Sequence, residues 1–243
     1  MSATLYSLTP GGNTAPSTSV AASMATAPAV VSLDLIQRHD PRRAHTEAFI
    51  AGGFAKVYQA SIRQFMPQLL AVNLGTEPQA VLGIRSGLCD KLFVEQYLDA
   101  DISYVLRAIG ISTSRGEIAE IGNLYAGNRH YTLMLMVTAA AALYQAGFRH
   151  LVCCATLQVQ QLLSKHGLTL QFLAEGDPAR LQGDSGDWGS YYQSHPMVCH
   201  LDLAQAMQLI QAEPRLTALT NRFALCTSAD SCALLFDNAA LEH

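Results

Sequence analysis

Three features of the chain predict an α/β layer architecture. Residues 117–173 read as strand, helix, strand, helix and strand in turn, an alternation that lays helices onto a shared sheet. Residues 151–156 form a continuous apolar run, as expected of a strand covered on both faces. Residues 131–148 carry no charge and include four consecutive alanines, the composition of a helix buried in the core.

Size and charge narrow the possibilities. A chain of 243 residues, 50% apolar and 14% charged, is long enough for one large core. We expect a single domain over residues 32–240. A net charge of −4 without a Lys/Arg cluster gives no footprint for a nucleic-acid backbone, so no nucleic acid is expected as a partner. The six cysteines lack paired zinc spacing and read as reduced thiols of a cytoplasmic protein.

The two ends differ from the middle. Residues 1–31 are mostly Ala, Ser, Thr, Pro and Gly with no charged side chain, too little apolar surface to offset ordering, so a mobile arm is expected. Leu33 to Ile36 is a secondary candidate for an edge strand. The arm lacks the positive segment and long apolar run of a secretory signal. The final Leu241-Glu242-His243 reads as a tag remnant.

Between the ends, residues 42–66 have helical spacing interrupted by Gly52-Gly53, which predicts two short helices. Residues 69–74 and 80–86 are strand-like and split by Gly75-Thr76-Glu77-Pro78, which fits a hairpin. Residues 92–98 fit either a strand or a helix. Residues 101–109 read as a helix closed by Gly110. Residues 117–124 read as a short strand, in which Glu117 and Glu120 fall on opposite faces. Residues 131–148 are at the short edge of what a bilayer requires and are diluted by Thr, Gln and Tyr, so a buried helix is expected and no membrane span. Residues 157–166 predict an amphipathic helix stopped at Gly167, and 168–173 another strand.

The blocks Leu92-Phe93-Val94-Glu95-Gln96-Tyr97-Leu98, Glu120-Ile121-Gly122-Asn123-Leu124 and Trp188-Gly189-Ser190-Tyr191-Tyr192 carry a resemblance. Over residues 38–200 the chain resembles the thermostable hemolysin family, itself similar in outline to the GNAT-like fold of acyl-homoserine-lactone synthases. The resemblance implies a mixed central sheet flanked by helices on both faces. Its neighbouring parallel strands, 117–124 and 151–156, would splay so that a donor's pantetheine arm can pair with exposed backbone. Gly83-Ile84-Arg85 resembles a pocket-lining segment of those synthases. Glu120-Ile121-Gly122-Asn123 resembles their Glu-x-Ser-Arg segment with Ser-Arg replaced, and Asn123 cannot supply that charge. The turn 123–130 keeps only Gly127 of the usual GNAT pyrophosphate loop. That departure favours a group delivered on a carrier protein over simple acetyl-CoA.

Each candidate has two readings. Glu120 is a general base whose apolar flanks raise its pKa, or a carboxylate that caps backbone or pairs with Arg85 or Arg115. Arg85 clamps a substrate carboxylate, or pairs with Glu95 or Glu120. Asn123 orients a carbonyl or oxyanion, or simply forms a turn. Gly127, Asn128, Arg129 and His130 hold a phosphate at a helix N-terminus, or Asn128 is a plain N-cap. Trp188, Tyr191 and Tyr192 wall an acyl pocket, with a phenol to protonate the leaving thiolate, or pack a loop. Glu95, in the first block, is placed with the substrate-binding residues. His195, Cys199 and His200 lack a carboxylate at fitting spacing, and no metal is expected.

No Gly-x-Ser-x-Gly, P-loop or Gly-x-Gly-x-x-Gly pattern is present, which disfavours covalent catalysis by a nucleophile elbow, nucleotide hydrolysis and hydride transfer. The expected activity is N-acyl transfer from a thioester on acyl-carrier-protein phosphopantetheine or CoA to a small-molecule amine, with no tightly bound cofactor. The alternatives are a membrane-active haemolysin, in which the arm or the 131–148 helix enters lipid, and an inactive GNAT-like binding module.

Overall fold

The computed structural model describes residues 31–182 and 185–221. The expected arm, apart from Val31, the tag remnant, Cys226 and Cys232 lie outside these residues.

The chain begins with β1 (Val31–Ile36), the edge strand that Leu33 to Ile36 can supply. It continues into α1 (Arg43–Tyr58). Two short helices are expected from Gly52-Gly53, but α1 is a single helix. A Cβ on Gly53 would lie 2.3 Å from the Tyr125 ring, so this glycine admits close approach to the sheet and does not break the helix. The helix stops at Gln59, whose φ of 54° is left-handed.

The hairpin pairs β2 (Gln68–Leu74) with β3 (Glu77–Ser86), and Glu77 and Pro78 belong to the strand, not the turn. Residues 93–97, ambiguous in sequence, form a 3-10 turn because two carboxylates take its leading N–H groups. Glu95 accepts from Leu92 at 2.7 Å, and Glu120 accepts from Phe93 at 3.0 Å and Val94 at 2.7 Å. Helix α2 (Ile102–Ala108) is capped by Asp101, which accepts from the Ser103 N–H.

Strand β4 (Ile118–Ala126), α3 (Arg129–Gln145), β5 (His150–Ala155) and α4 (Leu157–Lys165) follow as expected. The strand expected over 168–173 begins later. Gly167, at φ 80°, ends α4, Leu168 turns into the core, and β6 spans Gln171–Glu175. Strand β7 (Met197–Asp202), α5 (Leu203–Ala212) and α6 (Pro214–Asn221) complete the described chain, and none of them was legible in the sequence pattern.

The seven strands form one mixed sheet in the order β1-β2-β3-β4-β5-β7-β6. Only β4 and β5 pair in parallel; every other neighbouring pair is antiparallel. Side-chain alternation separates two cores. On one face Leu70, Leu82, Ala119, Ile121, Leu151 and Cys153 pack with α3, α5 and α6. On the other, Leu69, Ala71 and Val81 pack with α1, while Ile118, Val152 and Val198 pack with α2 and the 93–97 turn. Helix α3 is buried continuously from Leu133 to Leu143. Among the described residues no helix is long and apolar enough to cross a membrane.

Candidate active site

The two parallel strands part company. Strands β4 and β5 pair from Ile118 opposite His150 to Ile121 opposite Cys153 and then separate, although β4 runs on to Ala126 and β5 to Ala155. A cavity of about 340 Å³ opens at the divergence, between Gly122, Asn123 and Leu124 on one side and Cys154, Ala155 and Thr156 on the other. It reaches Met136 and Val159 on the α3 and α4 face and Phe54 and Trp188 on the opposite face. The slot therefore passes through the sheet. Its backbone edges lack the strand partner that β4 and β5 provide each other deeper in the sheet, so an extended ligand arm can take that place.

Glu120 lies at the closed end of the divergence and lines the cavity. The residue is 1% exposed. Burial pushes its carboxyl up to about 7, against the pull of Arg85 and of the Phe93 and Val94 N–H donors. The capping and base readings are thus compatible: two N–H groups hold the carboxylate in place, and the same carboxylate edges the cavity.

Arg85 sits directly across from Glu120 in the β3–β4 register and also lines the cavity. Its Nη1 is 3.6 Å from Glu120 Oε2, and it donates to the Lys91 carbonyl at 3.4 Å. Glu95 is committed elsewhere. Its carboxylate accepts from the Leu92 and Ile102 N–H groups and pairs with Arg115 at 2.6 Å. It is not among the cavity-lining residues, so the structure places this residue in the frame that holds the 93–97 turn and α2. Arg115 pairs with Glu95 and Asp101, not with Glu120.

Trp188 and Tyr191 line the cavity, whereas Tyr192 does not and packs behind them. Trp188 packs against Phe54, Phe93, Tyr191 and Tyr192 at centroid separations of 6.5, 5.6, 5.3 and 6.0 Å. The Tyr191 hydroxyl donates to the Cys154 carbonyl at 3.2 Å, and the Tyr192 and Tyr97 hydroxyls are 2.6 Å apart. Burial raises all three phenols, Tyr192 to about 12. The block therefore acts first as an aromatic wall whose polar tips are already bonded.

Asn123 stands where β4 bulges. The register slips between Val81 opposite Tyr125 and Gly83 opposite Gly122, and Asn123 has a left-handed φ of 49°. Its Oδ1 accepts from the Met66 N–H at 2.9 Å and its Nδ2 donates to the Gln64 carbonyl at 3.2 Å. Its amide thus ties the 61–66 segment over the slot. Sequence reasoning missed that segment, in which Ile62, Phe65 and Met66 line the cavity, together with Tyr97 and Cys154. The glycines in β3 and β4 were the available signal, because an interior strand glycine marks close approach.

Gly127, Asn128, Arg129 and His130 lie at the far end of β4, where α3 begins. Asn128 caps α3 by accepting from the Tyr131 N–H at 3.2 Å. Arg129 and His130 are exposed, and none of the four lines the cavity. The helix N-terminus stands beyond the splayed stretch of β4, and α4 starts beyond the end of β5.

The family model described as thermostable hemolysin matches residues 36–207. The chain belongs to the thermostable hemolysin family. No curated protein matches it in sequence. FeeM, an N-acyl amino acid synthase from uncultured soil microbes, superposes with a TM-score of 0.51 at 10% identity, covering 74% of this chain and 95% of that one. BjaI, a CoA-dependent acyl-homoserine lactone synthase with SAM and isopentyl-CoA, gives 0.50 at 9% identity, covering 77% and 90%. TofI, in a complex with an inhibitor and MTA, gives 0.50 at 12% identity, covering 76% and 99%. At these identities the likeness shows the fold: this member of the thermostable hemolysin family has the GNAT-like architecture of acyl-transferring synthases.

Cys153 and Cys154 line the cavity, Cys199 and His200 are buried, and His195 is exposed. Cys89, Cys153, Cys154 and Cys199 are free, and burial raises Cys154 to about 12, which makes it a poor nucleophile at neutral pH. His200 is buried, with its Nε2 3.0 Å from His150 Nδ1, and burial lowers it to about 4. Among the described residues no group of three or more His, Cys, Asp or Glu could hold a metal ion.

Proposed function

We propose that this chain is a cytoplasmic N-acyltransferase that moves an acyl or aminoacyl group from a carrier-protein or CoA thioester to a small-molecule amine. One observation carries this reading: the buried Glu120 carboxyl, raised to about 7, edges a slot that opens where β4 and β5 separate. The thioester arm enters between the strands, its phosphate end toward Gly127–His130 and the α3 N-terminus. The amine nitrogen attacks the thioester carbonyl while the Glu120 carboxylate takes its proton, directly or through water. Strand N–H groups freed by the splay stabilise the oxyanion. The C–S bond then breaks, the thiolate takes up a proton from solvent, and an amide and a free thiol leave.

Arg85 holds an acceptor carboxylate, and the wall of Trp188 and Tyr191, with Tyr192 behind it, packs the transferred group. The test is thiol release from acyl-CoA and acyl-pantetheine thioesters with a panel of amines, including amino acids. Amine-dependent release that Glu120→Gln abolishes supports the reading. The family description motivates a second reading, direct membrane lysis. Leakage of dye from liposomes without thioester consumption would favour it.

A further inference from the structure

The 61–66 segment is held by a set of contacts that the proposed chemistry does not require. Besides the two Asn123 bonds, the Ser61 N–H donates to the Asp187 carbonyl at 2.6 Å. Arg43 donates to the Met66 and Pro67 carbonyls at 2.6 and 2.9 Å. The segment is thus a fixed strap across the α1 side of the slot, not a loose connection.

Met66 is the side chain this clamp holds in place. It is buried, and it sits over Gly83 and Gly122, which face each other across β3 and β4. A Cβ added at Gly83 would fall 2.7 Å from Met66 Cβ, and one at Gly122 would fall 2.6 Å from Met66 Cε. The glycine pair therefore forms a recess filled by the thioether side chain. This recess is two residues along the strands from Arg85 and Glu120, past Ile84 and Ile121, and so on the same face by the two-residue alternation of β4. Ile62, Phe65, Phe54 and Trp188 belong to one apolar cluster and line the cavity, supplying a surface suited to a hydrocarbon tail.

We infer that Met66, seated in the Gly83/Gly122 recess and fixed by Asn123, is the stop that sets the length of acyl group the slot accepts. Asn123 is in this view a positioning residue that acts through the strap. The inference rests on the acyl-transfer reading and names a determinant of its substrate size. Selectivity follows from volume: one methylene in an apolar pocket is worth roughly 10–200-fold in discrimination.

The experiment titrates the full chain with S-alkyl thioethers of CoA and of pantetheine over a ladder of chain lengths, by calorimetry, so that no acceptor is needed. Wild type binds best at one length. Met66→Ala moves that optimum to longer chains, with the affinity ratio of longer to shorter ligands changing about tenfold or more. Gly122→Ala pushes the flexible thioether end into the slot and moves the optimum to shorter chains. Met66→Leu, close in volume, keeps it. Asn123→Ala broadens the profile. An optimum that stays put in both Met66→Ala and Gly122→Ala, or moves the same way in both, overturns the inference and leaves acyl transfer standing. Wild type that binds no thioether of any length overturns both.

Discussion

Arg85 and Glu120 face each other across the β3–β4 pair, with the guanidinium 3.6 Å from a carboxylate that is 1% exposed. The cation favours ionisation, and burial opposes it more strongly, leaving the carboxyl at about 7. A group so balanced can exchange a proton at neutral pH without a large driving force in either direction.

Glu120→Gln should lower amine-dependent thiol release by about 10²–10⁴-fold, the usual contribution of a general base. Thermal melting of the same variant checks that the 93–97 turn, which Glu120 caps, survives the change.

The rate should rise with pH and reach half its plateau near 7, because the base acts only when ionised. Arg85 pulls the Glu120 carboxyl down, so Arg85→Gln should shift the midpoint upward as well as raise the KM for a carboxylate-bearing acceptor. A pH profile of kcat/KM for the two proteins reads both effects.

Stability should respond to pH through two opposed groups. Glu120 is raised from 4.5 to about 7, so its contribution is complete below 4.5 and is lost as pH rises through 7. His200 is lowered from 6.5 to about 4, so its contribution is complete above 6.5 and is lost as pH falls toward 4. Each is worth up to about 3 kcal/mol. Urea unfolding between pH 5 and 7 should show stability falling with rising pH in His200→Gln and climbing in Glu120→Gln.

The adjacent glycines of α1 should answer oppositely to alanine. A methyl on Gly53 meets the Tyr125 ring and should destabilise by about 1–3 kcal/mol. A methyl on Gly52 meets nothing within 4 Å and should stabilise by up to about 1 kcal/mol. Midpoints of chemical unfolding for the two variants give the comparison.

Local pattern was enough wherever one element carried its own signal. The charge-free α3, the apolar β5 and the β2–β3 hairpin were legible because side-chain periodicity and turn residues are properties of the chain itself. So was Glu120 as a carboxylate in an apolar strand. Strand β7 was not, because Cys199, His200 and Asp202 broke up a run whose burial comes from its position between β5 and β6. The site was only half legible for the same kind of reason. Arg85, Glu120, Trp188 and Tyr191 meet at the slot, whereas Glu95, which sits in an equally suggestive block, is consumed by Arg115 and two backbone N–H groups.

The amino-acid sequence by itself determined the family, the alternation of elements and the residues able to move a proton, since these depend on composition and spacing along one strand or helix. Tertiary structure alone decided that β4 and β5 separate after Ile121 and Cys153, that Asn123 holds a strap, and that Met66 fills a recess between two glycines. These are relations between segments as many as 59 residues apart, and no local periodicity encodes the distance at which two such segments meet.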